Sequence, residues 1–209
     1  MSSTDGEVTQ RLVRQAVAGD RAAMDELLGR HRERLRRMVA VRLDPRLSAR
    51  ADPSDVVQET LAEASQQLSQ YYEQRALPFY AWLRALAWQR LVKLYRQHVV
   101  AQRRSVGREQ ADVPDLSDDS AMDLAERVAA DISSPSEHLA RVDRQQRVRA
   151  ALNQLSPQDR EIIVMRHLEE LQVDEIAAIL GISAGAVKMR RMRAFERLRA
   201  ILESNPSEA

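Results

Sequence analysis

The sequence predicts an all-α fold: two small helical domains joined by an acidic flexible linker, the C-terminal one a helix-turn-helix. Three observations predict it. Apolar residues recur at helical spacing along residues 8–104 and 136–203, with proline-led restarts at Asp52-Pro53, Pro78 and Ser156-Pro157. Between them, nine acidic residues from Glu109 to Glu137 are answered only by Arg127, and Pro114, Pro135 and several serines break the chain, so residues 105–135 read as a linker. The third is Val173–Ile201, whose apolar and basic residues are spaced as a short helix, a tight turn and a second helix.

Composition narrows the function classes. A chain of 209 residues with 4% aromatic and 30% charged residues builds modest aliphatic cores under arginine-rich surfaces. Its net charge is only +1, so affinity for nucleic acid must come from patches of separated sign. The absence of cysteine excludes disulfides, thiol catalysis and cysteine-based zinc sites. The four histidines, at 31, 98, 138 and 167, stand in scattered contexts, which argues against a metal centre or an enzyme; no cofactor is expected. Neither a secretory leader nor an apolar run of membrane-spanning length is evident, so a soluble, cytoplasmic protein without membrane insertion is expected.

Residues 1–7 are small and polar and read as a disordered start. Val8–Leu28 gives two helical pieces around Gly19-Asp20. A further helix from about His31 to Leu43 places Leu35, Met38, Val39 and Val41 inside, and Asp44-Pro45 ends it before a loop over Pro45–Arg50. Asp52 then caps a helix whose first position is Pro53 and whose third is Asp55, where negative charge suits the positive helix end. That helix buries Val56, Val57, Thr60, Leu61 and Ala64. Asp55, Gln58 and Glu59 share one side and remain available to another surface.

The helix after Pro78 has too many apolar residues for a single stripe, so part of it is core and part meets a partner. Tyr80, Trp88 and Tyr95 alternate with Arg84, Arg90, Lys93 and Arg96. Rings that stack on bases beside cations that hold phosphate suit single-stranded nucleic acid. Phe79 and Trp82 read as core; for Trp88 and Tyr95, periodicity leaves both packing and stacking open. Arg103, Arg104 and Arg108 close this domain. Within the linker, Met122–Ile132 has the pattern of a short amphipathic helix. The linker's acidity suits either a solvated connector or a shield for a basic face.

In the second domain Val142, Val148, Leu152 and Leu155 line one helix, and Ile162, Ile163, Met165 and Leu168 the next. A short helix over Val173–Leu180 then ends at Gly181, which can take the left-handed conformation, and Ser183 caps its successor. That last helix keeps Val187, Ala194, Phe195, Leu198, Ile201 and Leu202 on its apolar side. Ser183, Gly185 and Lys188 put small or donor-bearing groups at the end directed into a major groove, with Arg190, Arg191 and Arg193 behind them. Helical spacing assigns Lys188 and Arg191 to base edges and Arg190 and Arg193 to phosphate, while Met189 and Met192 read as packing material.

Three passages, DPSDVVQETLAEA, FYAWLRALAWQRLVKLYRQ and LNQLSPQDREIIVMRHLEELQVDEIAAILGISAGAVKMRRMRAFERLR, together resemble RNA polymerase sigma factors of the extracytoplasmic-function (ECF) group. The resemblance implies a non-enzymatic protein that binds core RNA polymerase and directs promoter-specific transcription initiation. By it, Asp52, Asp55, Val56, Gln58 and Glu59 correspond to the part that grips the polymerase clamp helices. Phe79–Arg96 corresponds to the part that opens and reads the melted promoter, and Gly185–Arg193 to the reader of the upstream duplex. An anti-sigma protein is a further partner the resemblance suggests. The alternative is a stand-alone helix-turn-helix transcriptional regulator, which would carry a ligand pocket or dimerising domain instead.

Overall fold

The structure, a computed structural model, describes residues 3–43, 52–97, 123–128 and 141–204, the side chains of residues 3–4 and 141–146 excepted. The expected loop at Pro45–Arg50, the arginines Arg103, Arg104 and Arg108, most of the linker and the side chain of Val142 lie outside these residues. All described secondary structure is helical. The chain forms two compact units that divide between Ser117 and Asp118.

In the first unit α1 (Ser3–Val17), α2 (Arg21–Arg42), α3 (Pro53–Gln74) and α4 (Phe79–Tyr95) follow in order. α1 and α4 each pack on α2 and α3, which also pack on each other. Leu27, Leu35, Met38, Val57, Leu61, Ala64, Leu68, Leu83 and Ala87 fill the space between them. Two boundaries differ from expectation. α1 begins at Ser3 rather than near Val8, because Arg30 of α2 pairs with Asp5 and the Thr9 hydroxyl donates to the Asp5 carbonyl at 2.9 Å. α2 also runs unbroken through Gly29. A mid-helix glycine costs about 1 kcal/mol relative to alanine, but Leu27, His31 and Leu35 are buried on one face across it, and burying a leucine side chain alone contributes about 2 kcal/mol.

α3 starts as the caps require: the Asp52 carboxylate accepts from the Ser54 amide at 2.6 Å, and Pro53 opens the helix. It ends at Arg75, whose φ of 41° turns the chain. The Tyr71 hydroxyl donates to the Leu77 carbonyl at 3.0 Å, and the Tyr71 ring stacks on Trp82 with centroids 4.6 Å apart. That contact ties the end of α3 to the start of α4.

The second unit contains α5 (Arg141–Gln154), α6 (Pro157–His167), α7 (Val173–Leu180) and α8 (Ala184–Ser204). α8 packs on all three of the others. Leu152, Ile162, Met165, Leu168, Leu171, Ile176, Val187, Ala194 and Leu198 are buried here. Residues 123–128, inside the passage expected to be linker, form a short helix of this unit whose Leu124, Ala125 and Val128 are fully buried. Arg127 holds it there, donating to the His167 carbonyl at 3.0 Å and pairing with Asp123 and Glu170.

Candidate nucleic-acid interfaces

The turn before α8 sets the geometry of the second unit's candidate interface. Gly181 ends α7 at φ 64°, which lets the Ile182 amide donate back to the Ala177 carbonyl at 3.1 Å. Two residues on, the Ser183 hydroxyl accepts from the Ala186 amide at 3.1 Å and starts α8. At the base of the helix Arg197 pairs with Asp159, a buried carboxylate in the first turn of α6 that also accepts from the Ser156 hydroxyl at 2.9 Å. Arg197 is therefore engaged in holding α8 on α6.

Val187, Ala194 and Leu198 define the buried side of α8. At about 100° per residue, Gly185, Met189, Met192 and Glu196 fall within about 40° of the opposite meridian. Lys188 and Arg193 are exposed on the flanks, whereas Arg190 and Arg191 are half-buried nearer the core. Met189 and Met192 are 46% and 47% exposed, so they are not packing material as the sequence suggested. Gly185 is exposed, and a Cβ there would meet only the Ser183 hydroxyl at 3.9 Å, so the fold does not require a glycine at this position.

In the first unit the candidate residues separate into surface and support. Asp55 and Gln58 are exposed on α3. So is Asp52, whose carboxyl is held below its ordinary value chiefly by the Ser54 backbone hydrogen bond. Val56, grouped with them, is only 2% exposed and belongs to the core. Glu59 is exposed but pairs with Arg90 of α4, which also binds Glu63 at 2.9 Å. Arg90 thus clamps α3 to α4, a role that the i, i+4 pattern within either helix could not reveal.

Tyr80 is 3% exposed: its hydroxyl donates to the Arg34 carbonyl at 3.3 Å and the Arg34 guanidinium lies 4.0 Å from its ring centroid. It has no open face on which a base could stack. Arg84 is 6% exposed, its guanidinium 5.8 Å from the Trp88 ring, and Arg42 approaches the same ring at 5.4 Å. Trp88 and Tyr95 are half-buried, and Lys93 and Arg96 are exposed. Trp88, Gln89, Val92, Lys93, Arg96 and Gln97 line an open groove of about 670 Å³ along α4. The residues missed from sequence are Arg34 and Arg42 of α2, whose aromatic partners lie some 46 positions further along the chain.

Comparison with known proteins places this geometry. A family model described as Sigma-70, region 4 matches residues 145–198, from within α5 to the middle of α8. The ECF RNA polymerase sigma factor SigD of Mycobacterium tuberculosis (strain ATCC 25618 / H37Rv) is 30% identical over 194 residues, covering 93% of this chain and 84% of that protein. The RNA polymerase sigma factor CnrH of Cupriavidus metallidurans is 32% identical over 194 residues, covering 93% of this chain and 94% of that one. The chain belongs to the ECF RNA polymerase sigma factors. These alignments extend over both units, so the four-helix first unit is part of the sigma-factor likeness although the region 4 model leaves it out. The solved structure of CnrH in complex with the cytosolic domain of CnrY is 25% identical, covers 95% of this chain and 99% of that chain, and superposes with a TM-score of 0.55. Among the described residues of this sigma factor, no helix is long and apolar enough to cross a membrane.

Proposed function

We propose that this sigma factor divides promoter recognition between its units, the first binding core RNA polymerase and the melted strand, the second reading duplex DNA upstream. The observation that carries the reading is the exposed face of α8: a strip between Lys188 and Arg193 that is uncharged from Gly185 to Met192, on a helix presented by a tight turn. Ser183, Gly185 and Lys188 lead that helix into the groove. Arg190 and Arg191, half-buried nearer the core, are assigned to phosphate. On this reading Arg191 belongs with the phosphate contacts, whereas its spacing from Lys188 suggested a base edge.

In the first unit Asp52, Asp55, Gln58 and the outer part of Glu59 offer the acidic side of α3 to the polymerase clamp, with Val56 supporting from beneath. Trp88, Lys93, Tyr95 and Arg96 border the melted-strand groove, while Tyr80, Arg84 and Arg90 hold its wall. The working units are residues 8–104 and 136–203, with the acidic passage over 105–135 connecting them except where residues 123–128 pack on the second. The role is cytoplasmic and non-catalytic. The solved CnrH–CnrY pairing supports a protein partner here too, an anti-sigma protein. A stand-alone helix-turn-helix regulator leaves the sigma-factor likeness of the first unit without a purpose.

Footprinting promoter complexes of core polymerase with the full chain or with Lys188→Ala and Arg193→Ala variants tests the assignment. Upstream protection should weaken in the variants while downstream melting contacts persist. Unchanged upstream protection in both variants would remove α8 from the duplex.

A further inference from the structure

The outward strip of α8 is apolar where a basic DNA-binding helix would be expected to carry charge. Met189 and Met192, with Leu77, are the exposed large hydrophobic residues among those described. Packing does not explain them, since Val187, Ala194 and Leu198 already occupy the buried side. Gly185 lies one turn before Met189 on the same strip, where an added Cβ would meet only the Ser183 hydroxyl at 3.9 Å. Lys188 and Arg193 flank the strip, and Glu196 ends it with a charge that phosphates repel, which confines any DNA contact to the first half of the helix.

Pressed into a groove walled by phosphates, such a surface puts its cations on the backbone and its uncharged strip against base edges. A thioether is at most a weak acceptor, so it cannot read the donor and acceptor pattern of a base pair. The apolar feature of the major-groove edge is the C5 methyl of thymine. An unbranched, polarizable side chain suits that contact. We infer that Met189 and Met192 are specificity-determining residues that select thymine in the upstream promoter element by packing on its methyl group. This rests on the reading of α8 as the helix that enters the duplex.

The test uses holoenzyme made from core polymerase and the full chain. Selection from promoters randomised upstream identifies the preferred element, and each upstream thymine is then replaced by deoxyuridine, which removes only the methyl. With the wild-type chain, binding should weaken about fourfold at the thymines that face the strip, the worth of one buried methyl. Met189→Ala or Met192→Ala should abolish that difference, Met→Leu at either position should retain it, and Met→Gln should lose it. An element without enriched thymine, or a thymine preference unchanged in the alanine variants, overturns the inference. Footprints of the same complexes separate the causes: upstream protection by a methyl-insensitive wild-type chain removes only the methionines, whereas absence of upstream protection removes the duplex reading with them.

Discussion

Replacing Gly185 by alanine should move fold stability and DNA affinity in opposite directions. The residue is helical and exposed, and its added methyl would meet only the Ser183 hydroxyl at 3.9 Å, an ordinary contact. The substitution therefore restricts the unfolded chain without straining the folded one, which stabilises by about 0.4–1 kcal/mol and raises the melting temperature of a domain this size by roughly 2–8 °C. On DNA the same methyl projects along the strip that enters the groove. If base edges already touch the helix backbone there, overpacking costs about 1–3 kcal/mol, or roughly five- to 150-fold in Kd. Thermal unfolding of the free chain and promoter binding by the reconstituted holoenzyme measure the two effects separately. A stabilised variant that binds normally would show that DNA does not approach Gly185. A destabilised variant would show that the glycine serves the fold after all.

Further outcomes follow from the same contacts. Asp159→Asn should lower the stability of the second unit by about 1–2 kcal/mol through loss of the charge-assisted bond to Arg197, and a double-mutant cycle with Arg197→Gln in urea unfolding should recover most of that as coupling. Val56→Ala should cost about 2 kcal/mol of first-unit stability, whereas Asp55→Arg should leave stability nearly unchanged and weaken pull-down of core polymerase; equal polymerase binding by Asp55→Arg and wild type would remove α3 from that interface. Gly181→Ala forces a side chain into the left-handed region and should destabilise the second unit by about 1–2 kcal/mol, read as a lower urea midpoint. Because Asp52 has a lowered carboxyl pKa in the folded chain, its cap supports α3 fully above the ordinary carboxylate value and loses that support as pH falls through the lowered one. Asp52→Asn should remove this acid-range dependence from unfolding curves.

Much of this architecture was legible because local signals coincide with local causes. Asp52-Pro53, Ser156-Pro157 and Gly181 act within one helical turn, through caps, a fixed φ and a permitted positive φ, so their effect can be read from neighbours in the chain. The same holds for the helix-turn-helix, where α7 spans Val173–Leu180 as its apolar spacing implies. Periodicity could not decide between contacts made across elements. The sequence put Tyr80, Arg84 and Arg90 in one nucleic-acid face with Trp88 and Lys93; packing buried Tyr80 under Arg34, sank Arg84 beside Trp88 and paired Arg90 with two carboxylates of α3. It also ran α2 through Gly29 and seated residues 123–128 on the second unit, because apolar area buried against distant residues outweighs a local glycine or an acidic composition. The rotation of α8 was settled the same way. Residue type had assigned the methionines of α8 to packing; only the fit of Val187, Ala194 and Leu198 against the rest of the second unit turned Met189 and Met192 outward, since a helix buries the side its neighbours can cover.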